Sequence, residues 1–189
     1  VIDTFNDWIG KIVCLLVVPI IIAMTYEVIA RKLFIAPTLW AFDISRIAVS
    51  ADGNADPDDI SATPAGLAML AQVGLQDSLV HYHVNSQVWK KPHRKEDLMQ
   101  ESAFGSAELM GFNKNVFFDA VQEYRKQGDN NSAARHLAEQ INVSSAKDPL
   151  YIIGAGPMEM IYQAVKLSNA NKRQFVKVMS HSHVNDKNV

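Results

Sequence analysis

The sequence predicts an α/β domain, a parallel sheet with helices on both faces, preceded by one N-terminal transmembrane helix. Two observations lead to this prediction. After Arg46, short apolar runs alternate with longer helical patterns, which is typical of βαβ units. Before Arg46, the chain contains a long uncharged apolar run. We therefore divide the chain into a membrane helix with its linker at 1–46 and an α/β domain at 47–189.

Composition and charge limit the classes of function. The 189 residues include 18 Lys and Arg against 20 Asp and Glu, a formal net charge of -2. No basic field exists to hold a phosphate backbone, so nucleic acid is not expected as a partner. The single cysteine, Cys14, excludes an intramolecular disulfide and a cysteine-rich zinc site.

The apolar run at 12–26 contains no charged residue and reaches Ala30 if Glu27 is tolerated near its end. A spanning helix needs ~17 to 20 apolar residues, and Trp8 and Arg31 flank the run as interfacial anchors. A cleaved signal peptide is the alternative, although no clear small-residue cleavage site follows the run. We expect a retained helix in a bacterial inner membrane, with the side of the soluble domain undetermined.

The residues after this helix carry a family resemblance. The segment 27–46 reads E-V-I-A-R-K-L-F-I-A-P-T-L-W-A-F-D-I-S-R. It resembles the end of the first helix and the next loop of small permease subunits of TRAP-type dicarboxylate transporters, through Arg31, Phe34, Pro37, Thr38, Trp40 and Asp43. The resemblance implies membrane association with a transporter large subunit. It covers residues 1–46 only, and a fusion of two coding fragments is a further interpretation.

The sequence after residue 46 predicts five strands and four helices. The strands are short and almost continuously apolar, as in a parallel sheet that is buried on both faces. Predicted strands are 47–50, 79–82, 116–118, 150–155 and 175–180. Predicted helices are 63–75, 96–112, 132–141 and 158–167, the first with Thr63 as its N-cap and Pro64 at its first position.

Polar residues follow four of these strands. They are the acidic loop after 47–50, His83 and Asn85 after 79–82, Gly156 and Pro157 after 150–155, and His181, His183, Asn185 and Asp186 after 175–180. Ligands of such sheets bind beyond the carboxyl ends of the strands. We therefore expect the binding site at this edge.

The acidic loop contains Asp52, Asp56, Asp58 and Asp59 within eight residues. Carboxylates ~4 Å apart repel by a few kcal/mol per pair, and a bound cation would relieve that repulsion. Oxygen ligands favour Ca²⁺, with Mg²⁺ as the alternative. A solvated loop that caps the following helix explains the same residues without a metal.

Two motifs add a second resemblance. D-G-N-A-D-P-D-D before a helix and L-Y-I-I-G-A-G-P-M-E-M-I resemble motifs of nucleoside hydrolases and related ribosylhydrolase-like proteins. The resemblance covers about 47–189 and implies a Rossmann-like fold, a bound Ca²⁺, a nucleoside or sugar ligand and N-glycosidic hydrolysis. It also implies that the domain is C-terminally incomplete, because the family's last aspartate ligand falls beyond Val189.

The resemblance also implies roles for individual residues. Asp52, Asp58 and Asp59 match the metal-binding positions, and Ala155 would add its carbonyl oxygen. The family's general base falls on Asn54, which cannot accept a proton at neutral pH, so Asp56 is the substitute. We predict catalytic roles for Asp52, Asn54 and Asp56.

Histidines and amides supply the other candidates. His81 with His83 and His181 with His183 would each share one face of an extended strand. Zn²⁺ or Cu²⁺ binding by these pairs is one interpretation. The interpretation we favour is recognition of sugar hydroxyls by Asn85, His181 and Asn185.

Overall fold

The computed structural model describes residues 46–53, 57–86 and 96–180. The chain separates into two units, Val1–Asp43 and Ile44–Val189, and every described residue belongs to the second. In these ranges five parallel strands form one sheet with the order β3-β2-β1-β4-β5. The strands are β1 (Arg46–Asp52), β2 (Leu79–Asn85), β3 (Phe117–Asp119), β4 (Leu150–Gly154) and β5 (Val176–Ser180). The predicted α/β class with a parallel sheet is confirmed.

Five α-helices connect the strands in the described part of the chain. They are α1 (Pro57–Gln72), α2 (Glu96–Leu109), α3 (Ala120–Gln127), α4 (Ser132–Val143) and α5 (Glu159–Leu167). Short 3-10 turns precede β3 and β5 and follow α3.

Helices cover both faces of the sheet. On one face, Leu67 of α1 and Met99 of α2 join a core with Tyr82 of β2. On the other face, Leu137 of α4 and Ile161 of α5 join a core that includes residues of β1 and β4. Alternation along β1 and β2 divides their apolar side chains between these two cores, which explains why these strands contain apolar residues on both faces.

Strand register places the polar residues of β1 and β2 in layers. A shift in register after Ile47 sets Ala48 opposite His81, and the pairing then continues without interruption to Asp52 opposite Asn85. Residues two apart on a strand share a face, and such layers are about 6–7 Å apart. The polar pairs Ser50–His83 and Asp52–Asn85 therefore follow one another on one face of the sheet towards its carboxyl edge.

The start of α1 differs from the prediction. The helix begins at Pro57, so Pro64 lies inside it and Thr63 is a buried residue that accepts a hydrogen bond from Tyr82 at 3.2 Å. Asp58 and Asp59 occupy the first turn, where carboxylates favour a helix N-terminus. Pro64 cannot donate to the carbonyl of Ile60, and the Ser102 hydroxyl of α2 donates to that oxygen at 2.7 Å instead.

Helix α3 was missing from the prediction. Asp119 is its N-cap and accepts from the Gln122 amide at 3.0 Å, while Gly128 follows its end with a φ of 67°. The helix has only 8 residues, and its mostly polar sequence gives little apolar periodicity.

The predicted membrane helix falls outside the described residues. Among the helices that the structure does describe, none combines the length and the apolar character needed to cross a membrane. The transmembrane segment, its linker and the transporter resemblance at 1–46 therefore remain predictions.

Candidate functional site

The candidate site lies at the carboxyl ends of β1 and β4, where the connections that follow the two strands run in opposite directions. The chain leaves β1 towards β2 on one side and leaves β4 towards β5 on the other. Adjacent strands whose connections run in opposite directions leave a crevice at this edge, and ligands of doubly wound sheets bind there. Asp52 ends β1, and Ala155 follows β4.

Backbone atoms approach each other closely in this crevice. A Cβ added to Gly156 would lie 2.8 Å from Cα of Asp52, and one added to Gly53 would lie 2.9 Å from the carbonyl oxygen of Asn85. The Ala155 amide also donates to the Ser50 carbonyl at 2.9 Å. Only glycine fits at these two positions, because a side chain would meet backbone rather than a movable group.

A cavity of about 440 Å³ opens between α1 and this end of the sheet. Three of the four predicted metal ligands, Asp52, Asp59 and Ala155, are among its lining residues. The rest of its wall is mainly apolar and includes Val49, Leu67, Leu70, Tyr82 and Ile153. The cavity wall is therefore almost entirely apolar, with Asp52, Asp59 and Ala155 among the residues that line it.

Tyr82 is the buried phenol of this cavity wall. Burial raises the pKa of Tyr82 to about 12, against a smaller lowering by the hydrogen bond to Thr63. The phenol therefore stays protonated and donates to the Thr63 hydroxyl. The Tyr82 ring therefore packs in the cavity wall, and its phenol does not act as a base.

Asn85 lies next to Asp52 on the neighbouring strand and is completely buried. Its Nδ2 donates to the carbonyl oxygen of Pro157 at 2.7 Å, so β2 is fixed to the loop after β4. Its Oδ1 has no hydrogen-bond partner among the residues that the structure describes. A buried carbonyl oxygen in this state is suited to accept a hydrogen bond from a ligand hydroxyl.

The other predicted site residues divide into two groups. Asp58 is exposed in the first turn of α1 and is not among the residues that line the cavity. Asn54, Asp56, His181 and Asn185 lie outside the described residues. Within the described ranges, no group of three His, Cys, Asp or Glu side chains is placed to hold a metal ion.

Two buried histidines lie on the opposite face of the sheet from the cavity. His81 Nε2 is 2.8 Å from Nδ1 of His83, and His81 Nδ1 is 2.9 Å from Nδ1 of His136 on α4. The predicted common face of His81 and His83 is confirmed, whereas no sequence pattern selected His136. Its position on the helix face that covers β2 was the missing information.

Comparisons with known proteins identify a relative but no family. No family model matches the chain, and no solved structure matches it significantly. The chain is similar to "Uncharacterized protein P22" of Formosa agariphila, with 37% identity over 150 residues. The match covers 75% of this chain and 53% of that protein, so the chain spans about half the length of the relative.

Proposed function

We propose that the α/β domain binds a divalent cation together with the hydroxyl groups of a nucleoside or sugar, as ribosylhydrolase-like proteins do. The observation that supports this proposal most strongly is the position of Asp52, Asp59 and Ala155. All three line one cavity at the edge where doubly wound sheets bind ligands.

The donor atoms suit a hard cation. Two carboxylates and a backbone carbonyl offer oxygen only, which favours Ca²⁺ or Mg²⁺ over Zn²⁺. Asp59 also lies in the first turn of α1, where its carboxylate is held near the helix N-terminus. When bound, the cation would orient a water molecule and ligand hydroxyls and would make that water more acidic.

We infer the class of ligand from the two kinds of residue that line the cavity, acidic and apolar. The carboxylates of Asp52 and Asp59 would accept hydrogen bonds from hydroxyl groups, which are abundant on a sugar. The wall of Leu70, Val49 and Ile153 suits a flat apolar group. A nucleoside carries both features in one molecule, and N-glycosidic hydrolysis is the reaction that we propose for it.

The catalytic assignment is part of this proposal. Asp52 would contribute a carboxylate at the reacting end of the ligand, with Asp56 as the base in place of Asn54. His181 and Asn185 would bind further hydroxyls from the end of β5. Substitution of Asp56 by Asn should remove hydrolysis and leave cation binding in place, since only proton transfer is lost.

Thermal unfolding of the full chain with and without Ca²⁺ tests the proposal. A cation at a hundred times its dissociation constant stabilises the native state by ~2.7 kcal/mol. Asp52→Asn and Asp59→Asn should abolish this gain. Asp77→Asn should retain it, because Asp77 is an exposed residue after the end of α1 and does not line the cavity. Equal melting temperatures with and without millimolar Ca²⁺ or Mg²⁺ would contradict the proposal.

A further inference from the structure

Three imidazole rings form a continuous chain from the surface into the sheet. His136 on α4 is partly exposed, while His81 and His83 on β2 are fully buried. The two nitrogen-to-nitrogen distances, 2.9 Å for His136 to His81 and 2.8 Å for His81 to His83, are both hydrogen-bond lengths. Phe118 stacks on His81 with ring centroids 5.1 Å apart and holds the rings in place.

Each contact requires one N–H donor and one nitrogen lone pair. Burial, with help from the neighbouring imidazoles, lowers the pKa of His81 well below its usual value, and burial lowers the pKa of His83 to about 3. Both rings are therefore neutral, and each has one proton on one nitrogen. Two arrangements satisfy both contacts, and they differ only in the direction in which all the N–H groups donate.

The inner end of the chain lies beside other buried polar atoms without partners. Nε2 of His83, Oγ of Ser50 and Oδ1 of Asn85 all lack a hydrogen-bond partner among the described residues. Ser50 is opposite His83 in the register, and Asn85 is the next residue on the same face of β2. Leaving such a group unsatisfied destabilises the folded state. Three of them at adjacent positions indicate a small polar site.

The chemistry of these three atoms suits a water molecule. The amide oxygen of Asn85 accepts, the hydroxyl of Ser50 donates or accepts, and Nε2 of His83 does either according to its tautomer. An internal water needs two to four polar partners, and these atoms provide three. Because Nδ1 of His83 is directed at His81, its Nε2 lies on the side of the ring away from His81.

We propose that His136, His81 and His83 form a proton relay between solvent at α4 and a water molecule held by Ser50, His83 and Asn85. These histidines lie on the face of the sheet opposite the cavity, so the relay stands apart from the proposed function and concerns proton transfer to and from this water molecule. A zinc site made by the same rings is less suitable, because the paired nitrogens already face each other at hydrogen-bond distance.

In the forward direction, an O–H bond of the water breaks, its oxygen keeps the electron pair, and the proton bonds to Nε2 of His83. The proton on Nδ1 of His83 passes to Nε2 of His81, and the proton on Nδ1 of His81 passes to Nδ1 of His136. His136 then releases its Nε2 proton to solvent, so all three rings end neutral. The reverse sequence delivers a proton to the hydroxide and restores the first tautomers.

Hydrogen exchange of the imidazole N–H groups, followed by NMR on the full chain without cation or ligand, tests the relay. We expect the N–H of His83 to exchange about tenfold or more faster than the backbone amide of the same residue, which exchanges only by opening of the sheet. His136→Phe keeps a ring against Phe118 but has no nitrogen, and it should slow this exchange about tenfold. Val143→Ala, at the exposed C-terminal end of α4, keeps the imidazole and should leave the rate unchanged.

The relay is refuted by an imidazole N–H that exchanges as slowly as the amides of β2, or by an exchange rate that His136→Phe leaves unchanged. If His136→Phe fails to fold, His136→Gln also removes the imidazole and has a smaller side chain than phenylalanine. Because no cation is present, failure of the Ca²⁺ experiment leaves this result intact. Slow imidazole exchange likewise leaves the cation site untouched.

Discussion

The buried imidazole of His83 makes the stability of the domain dependent on pH. Its pKa is about 3 in the folded protein and ~6.5 in an unfolded chain. Below ~6.5 the unfolded state therefore binds a proton that the folded state excludes. The stabilisation is complete above pH ~6.5 and is lost as the pH falls towards 3.

Urea unfolding at pH 7.5 and 4.5 measures this effect. We expect His83 alone to account for about 2–3 kcal/mol of the stability lost between these two values. In His83→Gln, which has an amide that does not titrate, the loss should be smaller by about that amount. An identical pH dependence in the two proteins would show that His83 is protonated in the native state.

Substitution of Gly156 tests whether stability depends on the close approach of the ends of β1 and β4. A Cβ at this position would lie 2.8 Å from Cα of Asp52, so Gly156→Ala must displace backbone at the candidate site. We expect a loss of about 1–3 kcal/mol in the free energy of unfolding, together with weaker Ca²⁺ stabilisation. Chemical denaturation with and without Ca²⁺ measures both.

The control is Gly105→Ala in α2, where an added Cβ meets nothing within 4 Å. Alanine in a helix interior is favoured over glycine by about 0.5–1 kcal/mol, so this variant should be slightly more stable. A Gly156→Ala protein as stable as Gly105→Ala would mean that the two strand ends separate without cost.

At the scale of elements, the proline in α1 depends on a neighbouring helix. Pro64 leaves the carbonyl of Ile60 without its usual amide donor, and Ser102 of α2 donates to it. We expect Ser102→Ala to cost about 1–2 kcal/mol, because a partly buried carbonyl loses its partner. The free energy of unfolding from a urea titration provides the measurement.

A double-mutant cycle separates this effect from packing. Pro64→Ala restores an amide that can donate to Ile60, so Ser102→Ala should cost less in the Pro64→Ala background, with a coupling of about 0.5–1.5 kcal/mol. Equal costs of Ser102→Ala in both backgrounds would assign the whole effect to packing.

The strands were predicted well from continuous apolar runs in the sequence. The start of α1 was predicted wrongly, because it depends on a contact with another helix. The strands at 47–50 and 150–155 were placed within two residues at each end, because parallel strands covered on both faces leave continuous apolar runs. The start of α1 was placed at Thr63 instead of Pro57, since two prolines compete as first helical residues and only the contact with Ser102 allows the second inside the helix.

At the scale of the whole molecule, the strand order gathers residues that are far apart in sequence. Asp52 and Ala155 are about a hundred positions apart, and the adjacency of β1 and β4 brings them to one cavity. The sequence predicted this edge from the polar residues after each strand. It could not predict the contact of His136 with His81, because that contact depends on how α4 lies across β2.

Isothermal titration of Ca²⁺ into the full chain and into Asp52→Asn shows whether the carboxyl ends of β1 and β4 bind a cation. We expect saturable binding of Ca²⁺ by the unsubstituted chain and its loss in Asp52→Asn, with binding retained in Asp77→Asn. No heat of binding at millimolar Ca²⁺ or Mg²⁺, or equal binding by Asp52→Asn, would contradict a cation site at this edge of the sheet.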